Sequence, residues 1–569
     1  MVKVTPFQIY LIFLPHLIRG DSTENTNECF PENFLIGSAT AAYQVEGGWN
    51  LTRRTESIWD DFCRTHEDVS CANVADDMLH RYPQDLELMK RMGLETYRFS
   101  VSWSRVMTWD EDSKKMVRNQ EGIDFYQKMI AEIHREKLIP ILTMYHWDLP
   151  LKLQTELSPP GWLNLEIVEH FEDYSNLLFK EFGQSINYWA TFNEPWTFAT
   201  NGYGIGVHAP GFSGSMTNEY TVAHNVLLSH AKAVSLFREL QQNTKDIVGE
   251  EARISMVLNC DYGFPLNPTN MDDLAAVERK MQFILGWFLE PIVSGDYPPL
   301  MKEYVGDRLP TFSTEQSQQL KGSYDLFMLN HYSSQLVTDC DSNSSLVPCD
   351  ELPLGWYRDL AVDQSRFPQG ARLSSINEEG QRNCGWFSGY PKGYYEVIQW
   401  MHQTDPDTEI LLTENGWCGN STVDNEDQVW YYDGYLKQVL KAIGEGVPII
   451  GYTAWSFLDN YEWGSFEPRF GLFYINYPNQ AGSVEGYIPL KGDLERTPRP
   501  AAGLISSIAK SKCFPQDLDA SEDLSAFSVS SKRETQRTIT LVIILALLLL
   551  YAAFYIRRRC YERTYVVIA

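Results

Sequence analysis

Glu409-Ile410-Leu411-Leu412-Thr413-Glu414-Asn415-Gly416-Trp417 decides how the chain is read. Three consecutive large aliphatics require burial on both faces of a sheet, the habit of strands in all-parallel sheets. A carboxylate stands where the apolar run stops, so Glu414 reads as a charge held at the mouth of a buried strand. Alone, the fragment fits equally well a solvated strand end followed by an Asn-Gly turn. A second stretch of the same shape tips the balance. Ile186-Asn187-Tyr188-Trp189-Ala190-Thr191-Phe192-Asn193-Glu194-Pro195-Trp196 is again a β-rich apolar run ending in a glutamate, and Pro195 stops the strand or opens the following helix.

Eight such strand-like runs occur, at 34–44, 95–103, 139–147, 186–194, 253–259, 324–332, 409–414 and 449–455. Helical patterns lie between them. Over 82–93, for instance, apolar residues recur at three- and four-residue steps and Gly93 stands where the helix should end. Strand alternating with helix eight times predicts an α/β chain folded as a (β/α)8 TIM barrel, whose active site sits at the C-terminal rim of the strands. That rim then carries Gln44, Glu46, Arg98, Trp103, His146, Trp147, Asn193, Glu194, Asn330, Tyr332, Glu414 and Trp455, polar and aromatic side chains of the kind that hold a sugar.

The 569 residues, 44% hydrophobic and 13% aromatic, supply a large core, and the formal net charge of −28 argues against nucleic acid or anionic lipid as partners. Sixteen Trp and 31 Tyr suit the apolar faces of sugar rings, though core packing uses the same residues. Residues 1–20 read as a secretory signal peptide: Lys3, then an apolar segment over 7–18, then Gly20 as a small residue for cleavage. Residues 538–556 read as a transmembrane helix, and Arg557, Arg558 and Arg559 place the 557–569 tail in the cytoplasm. The expectation is a single-pass type I membrane protein with its body luminal or extracellular, at the plasma membrane or endoplasmic reticulum. Residues 29–513 form one catalytic unit without repeats, and the Ser-, Asp- and Glu-rich stretch 514–537 forms a flexible stalk.

Of ten Cys, Cys560 falls inside the cell and nine outside. Cys63 with Cys71 and Cys340 with Cys349 are spaced to clip short loops, and Cys29 with Cys513 could join the barrel's ends; an odd count leaves a free thiol. Asn50, Asn343 and Asn420 head glycosylation sequons in turn-like surroundings. With no CxxC pair and no HExxH, the sequence gives no metal site and no cofactor.

Seven motifs in order resemble glycoside hydrolase family 1, the group of β-glucosidases, lactase-phlorizin hydrolase and klotho proteins. They are the run from Phe34 through Gln44 to Gly47, Tyr97-Arg98-Phe99-Ser100, Tyr145-His146-Trp147-Asp148-Leu149-Pro150, Thr191-Phe192-Asn193-Glu194-Pro195, Asn330-His331-Tyr332, Thr413-Glu414-Asn415-Gly416 and the run from Trp455 through Asp459 to Glu462-Trp463. The resemblance implies that Glu194 is the acid/base and Glu414 the nucleophile of a retaining mechanism, which needs its carboxyl groups about 5 Å apart. It implies that Arg98, Tyr332 and Asn330 support the nucleophile, and that Gln44, His146, Asn193, Trp455, Glu462 and Trp463 hold the sugar. Glu194, lacking such partners, is expected to stay protonated until it acts.

The chain departs from the family pattern in three places: Gly464 to Pro468 is one residue short before Arg469-Phe470-Gly471, Met78-Leu79 replaces a common His-Tyr pair, and Leu51 to Arg54 replaces an acidic, Gly-containing turn. None removes a catalytic group; the first bears on glycone preference. The implied activity is hydrolysis of β-D-glucosides, with β-galactosides as the second glycone. The alternative is an idle, klotho-like receptor or co-receptor using the barrel rim for a ligand. The rim loops, such as 339–387, would choose the aglycone.

Overall fold

The structure, a computed structural model, describes residues 28–516 except 244, 245 and 378, together with Phe527 and Tyr551. The signal peptide, nearly all of the stalk and apolar span, the tail and Cys560 lie outside the described residues. Among the described residues no helix is long and apolar enough to cross a membrane.

All eight expected runs become strands: β1 Leu35–Ala39, β2 Thr96–Ser100, β3 Ile139–Tyr145, β4 Tyr188–Asn193, β5 Arg253–Asn259, β6 Phe327–Asn330, β7 Ile410–Glu414 and β8 Ile449–Trp455. Each pairs in parallel with its sequence neighbours and β8 closes onto β1, so the sheet has no edge. Closure explains the apolar runs: one face of each strand fills the barrel and the other meets helices. Ile141, Ala190, Val257, Leu326, Met328 and Leu411 form a compact plug of fully buried side chains. The helix predicted after 82 begins earlier, running Met78–Met92, and Gly93 ends it with φ of 79° in the left-handed region.

The pairing slips where the chemistry is expected. Register shifts between Ala190 and Asn193 on β4 against β5, and between Leu412 and Glu414 on β7 against β6. Such irregularities re-aim side chains, and both lie immediately before or at a glutamate of interest. Glu194 itself takes φ of 49°, with Pro195 opening the helix Pro195–Tyr203 behind it.

The expected disulfides Cys29–Cys513, Cys63–Cys71 and Cys340–Cys349 form, together with Cys384–Cys418, which the sequence reading did not pair; buried Cys260 is the leftover thiol. The two ends of the barrel unit therefore meet beneath β1, where Lys512 Nζ also donates to Phe34 O at 2.8 Å. A buried ion pair ties the C-terminal segment to the helix Met78–Met92: Arg496 donates to both oxygens of Asp85, at 2.8 and 2.9 Å, with both side chains fully buried. Arg496→Met would strand a buried carboxylate and is expected to cost about 3–5 kcal/mol, seen as a lowered thermal midpoint; Asp85→Leu in the same chain should restore most of it.

Candidate active site

A cavity of about 510 Å³ opens at the C-terminal ends of the strands. Nine predicted site residues line it: His146 after β3, Asn193 and Glu194 from β4, Asn330 and Tyr332 from β6, Glu414 from β7, and Trp455, Glu462 and Trp463 from β8 and beyond. Two more stand behind the wall. Gln44 donates through Nε2 to Asn460 Oδ1 and Tyr461 O at 2.9 and 2.8 Å, leaving its buried Oε1 without a partner.

Arg98 lies beneath the floor, 1% exposed, and fixes what lies above it. Its guanidinium pairs with Glu414 Oε1, donates to Asn193 Oδ1 at 2.7 Å, and reaches Thr143 Oγ1 and Thr413 O at 3.1 and 3.3 Å. Tyr332 OH donates to the other oxygen of Glu414 at 2.6 Å. The nucleophile candidate thus has a cation on one oxygen and a hydroxyl on the other.

Asn330 departs from expectation. Its Nδ2 donates to Glu194 Oε1 at 2.6 Å and to Asn193 Oδ1 at 3.1 Å, while its Oδ1 accepts from Thr413 Oγ1 at 2.7 Å, so it serves the acid/base candidate rather than Glu414. Nor is Glu194 without partners, because Thr197 Oγ1 also donates to its Oε2 at 2.9 Å. Its carboxyl is nevertheless pushed up to about 8: burial and the neighbouring Glu414 charge outweigh the lowering effects of Asn330, Thr197 and Arg98. Burial and the charges of Glu414 and Glu194 likewise push Glu462 up to about 8, against the Trp455 indole N–H that donates to it at 3.1 Å.

The network fixes a tautomer. Asn193 Oδ1 accepts from Arg98 and Asn330, so its Nδ2 must donate, and its neighbour at 3.2 Å is His146 Nε2. Nε2 therefore accepts, and the ring hydrogen sits on the buried, unpartnered Nδ1. Burial, then Arg98, holds the His146 pKa well below its usual value, keeping the ring neutral.

Two predicted rim residues are elsewhere. Glu46 binds Arg105 Nε at 2.9 Å and accepts from Tyr126 OH at 2.6 Å, and Trp103 stacks on Tyr174 with ring centroids 4.6 Å apart; both brace the wall from outside. Conversely, Thr197, Asn259, Asp261, Tyr357, Trp386 and Phe470 line the cavity without having been singled out. Asn259 ends an apolar run just as Glu194 does, a signal already in the sequence; Thr197 and Tyr357 sit on the helices Pro195–Tyr203 and Trp356–Leu360, and Asp261, Trp386 and Phe470 come from loops. Asn50 and Asn343 are exposed as sequons require, whereas Asn420 is half-buried and accepts from Thr422.

The family model of glycosyl hydrolase family 1 matches residues 26–513. The chain belongs to that family. It is 37% identical to a furostanol glycoside 26-O-β-glucosidase of Hellenia speciosa over 470 residues, 79% of each chain, and 38% identical to β-glucosidase 26 of Oryza sativa subsp. japonica over 469 residues, 79% of this chain and 88% of that one. Among solved structures, a rice β-glucosidase mutant in a covalent complex with glucose matches with TM-score 0.74 at 30% identity, covering 84% of this chain and 98% of that one. An aphid myrosinase matches with TM-score 0.73, also at 30% identity, over 85% of this chain and 100% of that one. As a family 1 member the protein is an O-glycosyl hydrolase.

Glu194 loses its proton as pH rises through about 8, so kcat/KM for an aryl β-glucoside should fall on an alkaline limb near that value. Because Glu462 titrates in the same range, the limb belongs to the coupled group. For the wild type, changing the substrate to 2,4-dinitrophenyl β-D-glucoside, whose leaving group needs no proton, should remove the part of the limb that Glu194 contributes as acid.

Proposed function

We propose that the protein is a retaining β-glycosidase of β-D-glucosides, with β-D-galactosides as a second glycone, acting by double displacement. The carrying observation is the contrast between two glutamates in one cavity: Arg98 and Tyr332 both donate to Glu414, while burial beside Glu414 pushes Glu194 up to about 8. Two carboxyl groups divided into a charged and a protonated member are what glycoside cleavage requires.

In the first step Glu414 attacks the anomeric carbon as the aglycone bond breaks, and the Glu194 proton passes to the departing oxygen, leaving a glycosyl ester on Glu414 and a carboxylate on Glu194. That carboxylate then takes a proton from water, the hydroxide replaces Glu414 at the anomeric carbon, and both groups return to their starting forms. His146, Glu462 and Asn193 offer the sugar hydroxyls donors and acceptors, with the unpartnered Gln44 Oε1 just behind the wall, and Trp455 and Trp463 offer ring faces. The β-glucosidase names of the relatives and the covalent glucose complex of the rice enzyme support this reading. The receptor alternative has against it two intact glutamates in one cavity, Glu414 paired with a cation and Glu194 pushed up to about 8, which ligand binding alone does not need. The catalytic unit fits an oxidising, extracytoplasmic setting, supported by four disulfides; the apolar segment over 538–556 with its Arg cluster would anchor it as a type I membrane protein.

Glu414→Gln should lower kcat by at least about 10³-fold on every β-glucoside, whereas Glu194→Gln should spare slow turnover of substrates with good leaving groups. Proton NMR of the first-released sugar should show the β-anomer. Release of the α-anomer, or equal losses for both variants on both substrate types, would sink the assignment.

A further inference from the structure

Part of the cavity lining has no place in the reaction just described. It comes from the loops after β4 and β5 and from segments around Tyr357 and Trp386, and through Thr197 and Asn259 it borders Glu194, the group that protonates the leaving oxygen. This is the side on which the aglycone departs.

Several of its polar atoms are unpartnered acceptors. Asn383 donates through Nδ2 to Gly419 O at 2.7 Å; a carbonyl can only accept, so the amide oxygen is the free atom, buried and unpartnered. Asn259 Nδ2 donates to Thr197 Oγ1 at 2.9 Å, whose own hydrogen goes to Glu194, so Asn259 Oδ1 is likewise buried and free. Asp261 adds a carboxylate. Ser333 N–H donates to one of its oxygens at 3.1 Å and Gln335 Nε2 to the other at 3.3 Å, while buried Lys280 holds Gln335 Oε1 from behind at 2.5 Å. Burial pushes the Asp261 pKa up, and Lys280, Gln335 and the Ser333 N–H draw it back. Donors share this lining too, among them the unpartnered Trp196 indole N–H and the neutral ring of His208.

The charges point the same way. Among the described residues no lysine or arginine lines the cavity; of its four carboxyl groups Glu194 and Glu462, both pushed up to about 8, hold their protons at neutral pH, which leaves Glu414 and Asp261. The three lining histidines are held neutral by burial: His208 and His331 are lowered to about 4, and His146 well below its usual value. Arg98 and Lys280 sit behind the acceptors they steady, out of a ligand's reach. Trp386, 49% exposed, presents a ring face at the mouth, and its carbonyl accepts from Ser333 Oγ at 3.2 Å.

We infer that this half of the cleft is a subsite for ring aglycones that are uncharged and donate hydrogen bonds, that it turns anionic aglycones away, and that Asp261 sets the preference. The inference rests on the glycosidase reading above. A hydroxyl or amide N–H entering here meets a free acceptor, and an apolar ring meets Trp386. An anion loses its hydration, meets like charge, and finds no cation.

The test compares 4-(carbamoylmethyl)phenyl and 4-(carboxymethyl)phenyl β-D-glucosides, near-isosteric substrates whose methylene insulates the leaving oxygen from the substituent. At neutral pH and low salt the neutral substrate should have a kcat/KM at least about tenfold higher. Raising ionic strength from roughly 0.02 to 0.5 M should narrow the gap. Asp261→Asn should narrow it to about threefold or less at low salt, Asp261→Ser should do the same, and Asp261→Glu should keep it. A wild-type ratio within about twofold would overturn the inference without recourse to any variant. A gap that survives both Asn and Ser would overturn the role of Asp261. If neither these substrates nor 4-nitrophenyl β-D-glucoside is cleaved, the glycosidase reading itself fails and this inference with it.

Discussion

The site depends on one buried guanidinium. Arg98 lies at the mouth of a closed barrel where a cation without partners would cost several kcal/mol, so its donors must all be answered. They are answered from three other strands: Thr143 on β3, Asn193 on β4, and Thr413 with Glu414 on β7. Satisfying one residue thus sets the positions of two strand ends from which reacting groups project. Asn193 passes the constraint on, because its oxygen is occupied by Arg98 and Asn330, and its remaining amide hydrogens orient His146.

The same burial that makes Arg98 costly without partners separates the two glutamates chemically. Burial disfavours charge on either carboxyl, and a guanidinium and a phenol hydroxyl stand against that at Glu414. Glu194 receives only neutral donors, Asn330 and Thr197, and feels the charge of its partner. Sequence reasoning expected Glu194 to be protonated for want of hydrogen bonds; it has two, and field and burial outweigh them. Stabilisation by a neutral amide and stabilisation by a cation are different magnitudes, and that difference sets two like residues apart in the way the proposed acid and nucleophile require.

Acidic character extends beyond the reacting pair. Of the four lining carboxyl groups Glu194 and Glu462 are protonated near neutral pH, Glu414 and Asp261 remain, and the nearest cations sit one layer deeper, so the cleft suits hydroxyl donors better than anions. The chain's large negative net charge works in the same direction at long range, since it neither gathers nor steers anionic ligands.

The local pattern of residues determined the barrel. A strand buried on both faces must be apolar along its length and polar only where it emerges, so eight apolar runs with polar ends reveal both the strand count and the working rim, and Gly93 marks a helix end by its backbone freedom alone. Glu194, Glu414, Tyr332 and Arg98 were legible for that reason. Tertiary structure alone decided which side chains at the rim face inward. Glu46 and Trp103 end runs of the same kind yet turn outward to Arg105 and Tyr174. Asn330 serves Glu194 rather than Glu414, and Asp261 and Trp386 reach the cavity from loops with no periodicity to read. The register slips on β4 and β7 explain part of this: one displaced residue turns a strand's facing over, and only pairing with a neighbour distant in sequence creates the displacement.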